Sequence, residues 1–214
     1  MEEIWIIGVG RFGRLAYERL SERRKKTRFV LVDPSVENLS RCHGHRLSKE
    51  AANGVTYLSR HLKAPESPNW IIPALPIHLA AEWALHIMGP ECIRRRTIPS
   101  EIDPLLPNPM RGRTGDIYVS HATFKCPDDC AEPRDICTVT GKKRKQNMFE
   151  ILREMVLGPF QSLVIRSHQL GPGIGGYRPA QLRSLLEVMK RSPGPFLVST
   201  ACRCHGVISG IEKI

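Results

Sequence analysis

The residues best suited to chemistry near the start of the chain are three glycines in a Gly-x-Gly-x-x-Gly pattern. An apolar run at residues 4–7 precedes them, and apolar side chains at helical spacing follow. In such a strand-turn-helix unit, bare backbone amides can approach a pyrophosphate. An aspartate at the end of the next apolar run is placed to accept hydrogen bonds from ribose hydroxyls. The pattern predicts a dinucleotide site made of Gly8, Gly10, Arg11, Phe12, Gly13 and Asp33.

The charge of Asp33 bears on which nucleotide this site accepts. A carboxylate at this place repels a 2′-phosphate, so the sequence favours NAD over NADP. S-adenosylmethionine stays open as a rival ligand, because it also requires a glycine turn and an acid at the second strand. A purely structural turn is the alternative to any nucleotide.

Five cysteines form a second group of residues able to do chemistry. Cys126, Cys130 and Cys137 lie in one loop that two prolines restrict, and Cys202 and Cys204 follow an apolar run near the end of the chain. Alternate residues of an extended chain share a face, so the last two thiols can point the same way. Four thiolates suit an iron-sulfur cluster or zinc, and three thiolates with a histidine suit zinc. Separate buried or redox-active thiols stay open as the alternative.

A glycine-rich loop at residues 170–179 is the third candidate site. Gly171, Gly173 and Gly175 offer backbone amides that suit a phosphate or a carboxylate. His168 lies just before the loop, where a proton-transfer group would be useful, and it is the candidate catalytic residue. A connecting loop without a ligand is the alternative interpretation.

Strand-like and helix-like patterns alternate along the chain and predict an α/β fold with a Rossmann-like, mainly parallel sheet. We expect a dinucleotide-binding half at residues 1–99, a proline-rich linker at 100–115 and a cysteine-containing α/β half at 116–214. Short strands are predicted at residues 54–58 and 92–98, the second of which completes the first half. Ligands of parallel sheets bind beyond the carboxyl ends of the strands, so the three candidate sites should meet at one edge.

The composition of the chain limits the classes of protein to which it can belong. The chain has 214 residues, of which 41% are hydrophobic, and a net charge of +11. Its seven cysteines, without an export signal, favour free thiols or metal ligands over disulfides and predict a cytoplasmic protein. Prolines interrupt the most apolar stretch, so membrane insertion is not expected. Basic runs at residues 23–26, 94–96 and 142–145 could attract nucleic acid, but few aromatic residues accompany them, which disfavours such a partner.

Residues 4–33 resemble the NAD-binding domain of Trk-type potassium-uptake regulators. The shared features are the hydrophobic strand, the Gly-x-Gly-Arg-x-Gly turn and the aspartate that ends the second strand. The family's further Gly-Asp segment is not found in residues 35–57, so the likeness implies a class of ligand rather than a biological role. The resemblance implies that the dinucleotide contacts Gly8, Gly10, Gly13 and Asp33.

Together these features predict an NAD-binding oxidoreductase that acts on a small-molecule substrate and carries a cysteine-ligated metal or iron-sulfur cluster. The alternative hypothesis is a non-enzymatic regulator of the Trk type, which senses nucleotide or redox state and passes a conformational change to a regulatory partner. A homo-oligomer stays open under either hypothesis. Turnover separates the two, because a regulator binds its nucleotide without converting it.

Overall fold

The computed structural model describes residues 1–63 and 67–214 and shows an α/β fold, which confirms the predicted class. Within these residues the helices α1 to α6 are Arg11–Arg23, Val36–Ser40, Gly54–His61, Leu79–Met88, Met148–Arg153 and Pro179–Arg191, and a 3₁₀ helix covers Ser100–Leu105. The strands β1 to β12 in the same residues are Glu3–Ile7, Arg28–Val32, Leu47–Glu50, Trp70–Pro73, Ile93–Arg95, Met110–Arg111, Ile117–Ser120, Gln161–Arg166, His168–Gly171, Ile174–Gly176, Phe196–Ala201 and His205–Lys213.

The first sheet has parallel strands in the order β3-β2-β1-β4. Its central strand β1 is buried from Ile4 to Ile7, as expected of a parallel strand covered on both faces. The chain runs from β1 to β2 and β3 on one side and returns to β4 on the other. The direction of winding therefore reverses between β1 and β4, which is where sheets of this type bind ligands.

The second sheet has the strand order β6-β7-β12-β11-β8, with β5 also paired to β12. The pair β8 and β11 is parallel, whereas β12 pairs antiparallel with β11, β7 and β5. The expectation of a mainly parallel sheet is therefore wrong for this half of the chain. The sequence also does not predict β12, because Gly206 and Gly210 weaken its strand pattern. At Gly210 a side chain is excluded, since a Cβ would lie 2.2 Å from the Arg96 carbonyl oxygen.

Two local predictions are corrected by the structure. Residues 54–58 begin helix α3 rather than a strand, because the Asn53 side chain accepts hydrogen bonds from the amides of Val55 and Thr56 and caps a helix there. The strand predicted at 92–98 exists as β5, but it pairs with β12. It therefore completes the second sheet and not the first.

The predicted halves are not separate packing units. One core cluster includes Ile7 of β1, Leu79 of α4 and Phe196 of β11, so the helices between the sheets are covered by both. The segment 100–115, predicted as a linker, contains the 3₁₀ helix, and its Ile102 is fully buried in a second core cluster. Apolar burial thus crosses both predicted boundaries.

Among the described residues, no helix has both the length and the apolar character needed to cross a membrane.

Candidate functional site

The three glycines of the first turn have different physical roles. A Cβ on Gly8, at φ +93, would lie 2.7 Å from the Ala74 carbonyl oxygen, and a Cβ on Gly13 would lie 1.9 Å from the Gly8 carbonyl oxygen. The turn itself therefore requires both. Gly10 has a φ of −65 that any residue adopts, and no atom lies within 4 Å of the Cβ that it lacks. Its missing side chain leaves open space where the pyrophosphate is predicted.

The amino terminus of α1 borders this open space without a neutralising group from its own cap. Gly10 is the N-cap residue, no side chain caps the helix, and the first turn contains no acidic residue. By contrast, Ser35 caps α2 and Asn53 caps α3. Free amides and the positive end of the helix dipole both favour an anion at this position.

Asp33 faces the glycine turn and is only 6% exposed. Its Oδ2 accepts a hydrogen bond of 2.6 Å from the Val9 amide, and its Oδ1 accepts bonds from the Ser35 amide and the Asn38 side chain. The carboxylate therefore contacts the backbone of the glycine turn. It also fixes the turn, since it joins the loop after β2 to the loop after β1.

A cavity of about 500 Å³ lies beyond the carboxyl ends of β1 and β4, at the point where the winding of the first sheet reverses. We call it the glycine-turn cavity because it adjoins the start of α1, although Gly8, Gly10, Gly13 and Asp33 are not among the residues that line it. Its volume is within the usual range of small-molecule sites. It is lined by Arg11, Phe12 and Ala16 of α1, by residues 72–76 and by residues 173–175.

A second, larger cavity of about 1020 Å³ gathers the cysteines that the sequence singles out, and we call it the thiol cavity. The two cavities share Phe12 and residues 173–175 in their walls. Phe12 is 57% exposed and lies between them. The two cavities are therefore adjacent, and we call them together the groove. The thiol cavity is lined by Cys126, Cys130, Cys137, Cys202 and Cys204, together with His121 and His205.

Inside the thiol cavity, polar side chains lie against the sulfur atoms. The His205 ring is between two of them, with Nε2 at 3.6 Å from Cys126 Sγ and Nδ1 at 3.9 Å from Cys202 Sγ. The Arg144 guanidinium donates to Cys204 Sγ at 2.9 Å. The sequence does not indicate that Arg144, in the basic run at 142–145, contacts a cysteine. His205 could have been found from the sequence, because it directly follows Cys204 in a Cys-x-Cys-His motif.

Backbone amides also point at these sulfur atoms. Cys202 Sγ accepts from the amides of Cys204 at 3.4 Å and His205 at 3.3 Å, and Cys130 Sγ accepts from the Glu132 amide at 3.4 Å. Hydrogen bonds from the Thr140 side chain and from nearby amides lower the pKa of Cys137. Donors directed at sulfur stabilise a thiolate more than a thiol.

Burial, by contrast, raises the pKa of several of the thiols. It raises the pKa of Cys126, and the neighbouring Cys130, Cys204 and Cys137 add to that rise. It raises the pKa of Cys202 to about 12, with the Glu132 carboxylate adding to the effect. Within the described residues, no three His, Cys, Asp or Glu side chains converge closely enough to hold a single metal ion.

The glycine-rich segment before α6 is a β-hairpin made of β9 and β10, not an open anion-binding loop. The Gly173 amide donates to the Cys130 carbonyl oxygen at 2.9 Å, so it is already paired with the chain. A Cβ on Gly175 would lie 2.6 Å from Ser167 Oγ, whereas one on Gly171 would make ordinary contacts. Gly173 allows the hairpin to dock against the cysteine loop, since a Cβ there would lie 1.8 Å from the Asp128 carbonyl oxygen.

His168 lies on β9 outside the walls of both cavities. Its ring packs against Trp70 with 5.6 Å between ring centroids. Burial lowers its pKa. Because the histidine does not face the groove, the structure gives it no catalytic position and we do not assign it one.

Two features that the sequence does not reveal connect the cysteine loop to the rest of the groove. Arg11, at the start of α1, forms a salt bridge of 2.5 Å with Asp128. The basic run at 142–145 lies in the wall of the thiol cavity. The run at 94–96 is instead paired with the carboxylates of Glu82, Asp116 and Glu212.

Comparison with known proteins places this architecture in a family. A family model described as "Uncharacterized protein, C-terminal domain" matches residues 80–214, which include the hairpin and all five cysteines of the thiol cavity. The chain belongs to this family. A protein of Archaeoglobus fulgidus, described as "Uncharacterized protein", is 30% identical over 226 aligned residues, which cover 97% of this chain and 98% of that relative. The family relationship thus extends over the glycine turn as well. No solved structure matches the chain.

Proposed function

We propose that this protein is an NAD-dependent oxidoreductase that binds the dinucleotide at the glycine turn and a small anionic substrate in the thiol cavity. The observation that carries the proposal is that the two cavities are adjacent and share Phe12 and residues 173–175 in their walls. A cavity at the reversal point of a parallel sheet, next to an uncapped helix and a glycine with open space, fits a dinucleotide phosphate. The resemblance to Trk-type NAD-binding domains supports the same ligand.

Each part of the groove has a distinct role in this proposal. The amides at the start of α1 hold the pyrophosphate beside Gly10. Asp33 accepts a hydrogen bond from a ribose hydroxyl on the single carboxylate lone pair, of about four, that the Val9, Ser35 and Asn38 donors leave free. Phe12 presents an exposed ring where the two cavities meet, which suits a flat ligand ring. The bound cofactor would supply hydride transfer.

The charge of the thiol cavity indicates the class of substrate. Five basic side chains in its wall form no salt bridge within the described residues: Lys125, Lys142, Lys143, Arg144 and Lys145. They outnumber the two carboxylates of this wall, Asp128 and Glu132, and an excess of one sign of charge in a concave surface raises the local concentration of ligands of the opposite sign. We therefore propose a small carboxylate or phosphate compound. The reduced thiols suit the cytoplasm.

The test is a titration of the purified chain with NAD, NADH, NADP and S-adenosylmethionine, using calorimetry. We expect NAD or NADH to bind at least about tenfold more tightly than NADP, because one unfavourable carboxylate-phosphate contact costs about 1 to 2 kcal/mol. Binding of S-adenosylmethionine in preference to NAD would contradict the proposal. Binding of NAD without turnover of any small carboxylate or phosphate compound would favour the regulator instead.

Gly10→Ala is the matched variant for this titration. Its methyl group would occupy the open space at the turn without meeting the chain, so we expect folding to be retained and NAD binding to weaken by about tenfold or more. Gly115→Ala is the control, because that glycine also has open space around it but lies at φ +83 in a remote turn. The control should lose some stability and bind NAD normally. Equal NAD affinity in the Gly10 variant would exclude the glycine turn as the phosphate site.

A further inference from the structure

The thiol cavity contains many sulfur ligands but no site for one metal ion. A zinc ion requires four donors at about 2.0 to 2.3 Å from a single point, which brings the donor atoms close together. The described residues offer no such convergence. The five thiols are instead distributed around one cavity, with the His205 ring separating Cys126 from Cys202. Several thiols around one cavity suit a polynuclear inorganic group that takes one thiolate at each corner.

We propose that Cys126, Cys130, Cys137 and Cys204 hold a polynuclear iron-sulfur cluster. The inference deepens the proposed function, since it gives a redox group to the same groove, but the cluster does not require the dinucleotide. The protein contributes four thiolates, and their surroundings compensate the negative charge that these bring. The cavity is large enough to leave room for a small substrate beside the cluster.

The charge around Cys204 selects it over Cys202 as the fourth ligand. The Arg144 guanidinium at 2.9 Å from Cys204 Sγ stabilises a thiolate there. The Cys202 sulfur instead accepts two amides of the turn that presents Cys204 and His205. We assign Cys202 to the support of that turn.

The neighbouring donors match what a cluster requires of its protein. Hydrogen bonds to the ligating sulfurs and nearby charge set the stability and potential of such clusters. Cys130 accepts the Glu132 amide, Cys126 lies 3.6 Å from the His205 Nε2, and the basic run at 142–145 lines the same wall. The cysteine loop is also held in place, because the Cys130 carbonyl accepts the Gly173 amide of the hairpin.

The test is to purify the full chain without oxygen, reconstitute it with ferrous iron and sulfide, and measure iron, acid-labile sulfide and zinc. We expect iron and sulfide in equal amounts, with the broad visible absorption of a thiolate-ligated cluster. Cys130→Ser and Cys137→Ser should each lose most of the iron. Cys204→Ser should do the same, whereas Cys202→Ser should keep it.

Cys92→Ser is the control for these variants, since Cys92 is exposed and outside the thiol cavity. It should retain the full iron content. Stoichiometric zinc without sulfide, or full iron retention in both the Cys130 and Cys137 variants, would overturn the proposal. Recovery of the cavity thiols as disulfides, with no bound metal after reconstitution, would also overturn it. The Gly10→Ala variant should keep its iron. Failure of the parent chain to bind NAD, with an intact cluster, would contradict the proposed function alone.

Discussion

His78 is a buried histidine whose two ring nitrogens both have hydroxyl partners. Nδ1 lies 2.7 Å from Ser209 Oγ and Nε2 lies 2.9 Å from Thr200 Oγ1, and the Ser209 hydroxyl donates to the Asp116 carboxylate. The side chain is 3% exposed and lines neither cavity. We therefore interpret this network as a structural link between the start of α4 and strands β11 and β12, and not as a catalytic relay.

Stability should depend on pH through His78. Burial lowers its pKa to about 4 from an ordinary value of 6.5, so the unfolded chain takes up a proton before the folded one. The neutral, buried His78 ring contributes its full stabilisation above pH 6.5, and this stabilisation is lost as the pH falls toward 4. We expect this residue to reduce the free energy of unfolding by about 3 kcal/mol over that range. Measured by urea unfolding, the free energy of unfolding of His78→Gln should fall less between pH 6.5 and 4 than that of the parent chain. The control His43→Gln, at an exposed site, should show the same fall as the parent.

Asp33 should control the choice between the two dinucleotides. Asp33→Asn removes the charge that repels a 2′-phosphate and weakens a charge-assisted hydrogen bond to the ribose. We expect NAD to bind about tenfold more weakly and the preference over NADP to shrink, a change of about 1 to 2 kcal/mol. Because Asp33 also anchors the turn, the fold of the variant must be checked by its unfolding midpoint. An unchanged NAD to NADP ratio would argue against ribose recognition by this residue.

At the scale of elements, the hairpin of β9 and β10 positions the cysteine loop. Arg19 of α1 donates to the carbonyl oxygens of Asp128 and Pro172, and so joins the loop to the hairpin turn. The Tyr177 and Ile71 backbones exchange two hydrogen bonds of 3.0 Å, which attach the chain after the hairpin to β4. The hairpin therefore forms part of the wall of both cavities, although the sequence predicts only a glycine-rich loop there.

Gly173→Ala should detach the cysteine loop from the hairpin. The new Cβ would lie 1.8 Å from the Asp128 carbonyl oxygen, and the backbone is at φ +70. We expect a loss of about 1 to 3 kcal/mol in stability and faster proteolysis within residues 125–145. Gly115→Ala carries the same kind of backbone strain with no neighbour to displace. Equal proteolysis of the two variants would show that the contact with Asp128 is not what holds the loop.

At the scale of the whole molecule, the shared core predicts one cooperative unit. All three tryptophans lie in residues 5–83, so their fluorescence follows the first half, whereas circular dichroism follows the entire chain. Because side chains of both halves meet in one buried cluster, the two signals should change at the same urea concentration. Two separate unfolding transitions would instead show that the chain consists of two units divided at residues 100–115, as the sequence predicts.

The sequence by itself determined the first βαβ unit, because the glycine turn, the apolar periodicity and Asp33 are local features whose geometry follows from short-range chemistry. It also indicated that five cysteines belong together. Only the tertiary structure decided that β5 pairs with β12, that the glycines before α6 form a hairpin, and that His168 lies away from the groove. Those outcomes depend on contacts between residues far apart in the chain, such as Gly173 with Asp128 and β5 with β12. Burial and hydrogen bonding with distant partners outweigh local propensity at such positions, so spacing along the chain does not reveal them.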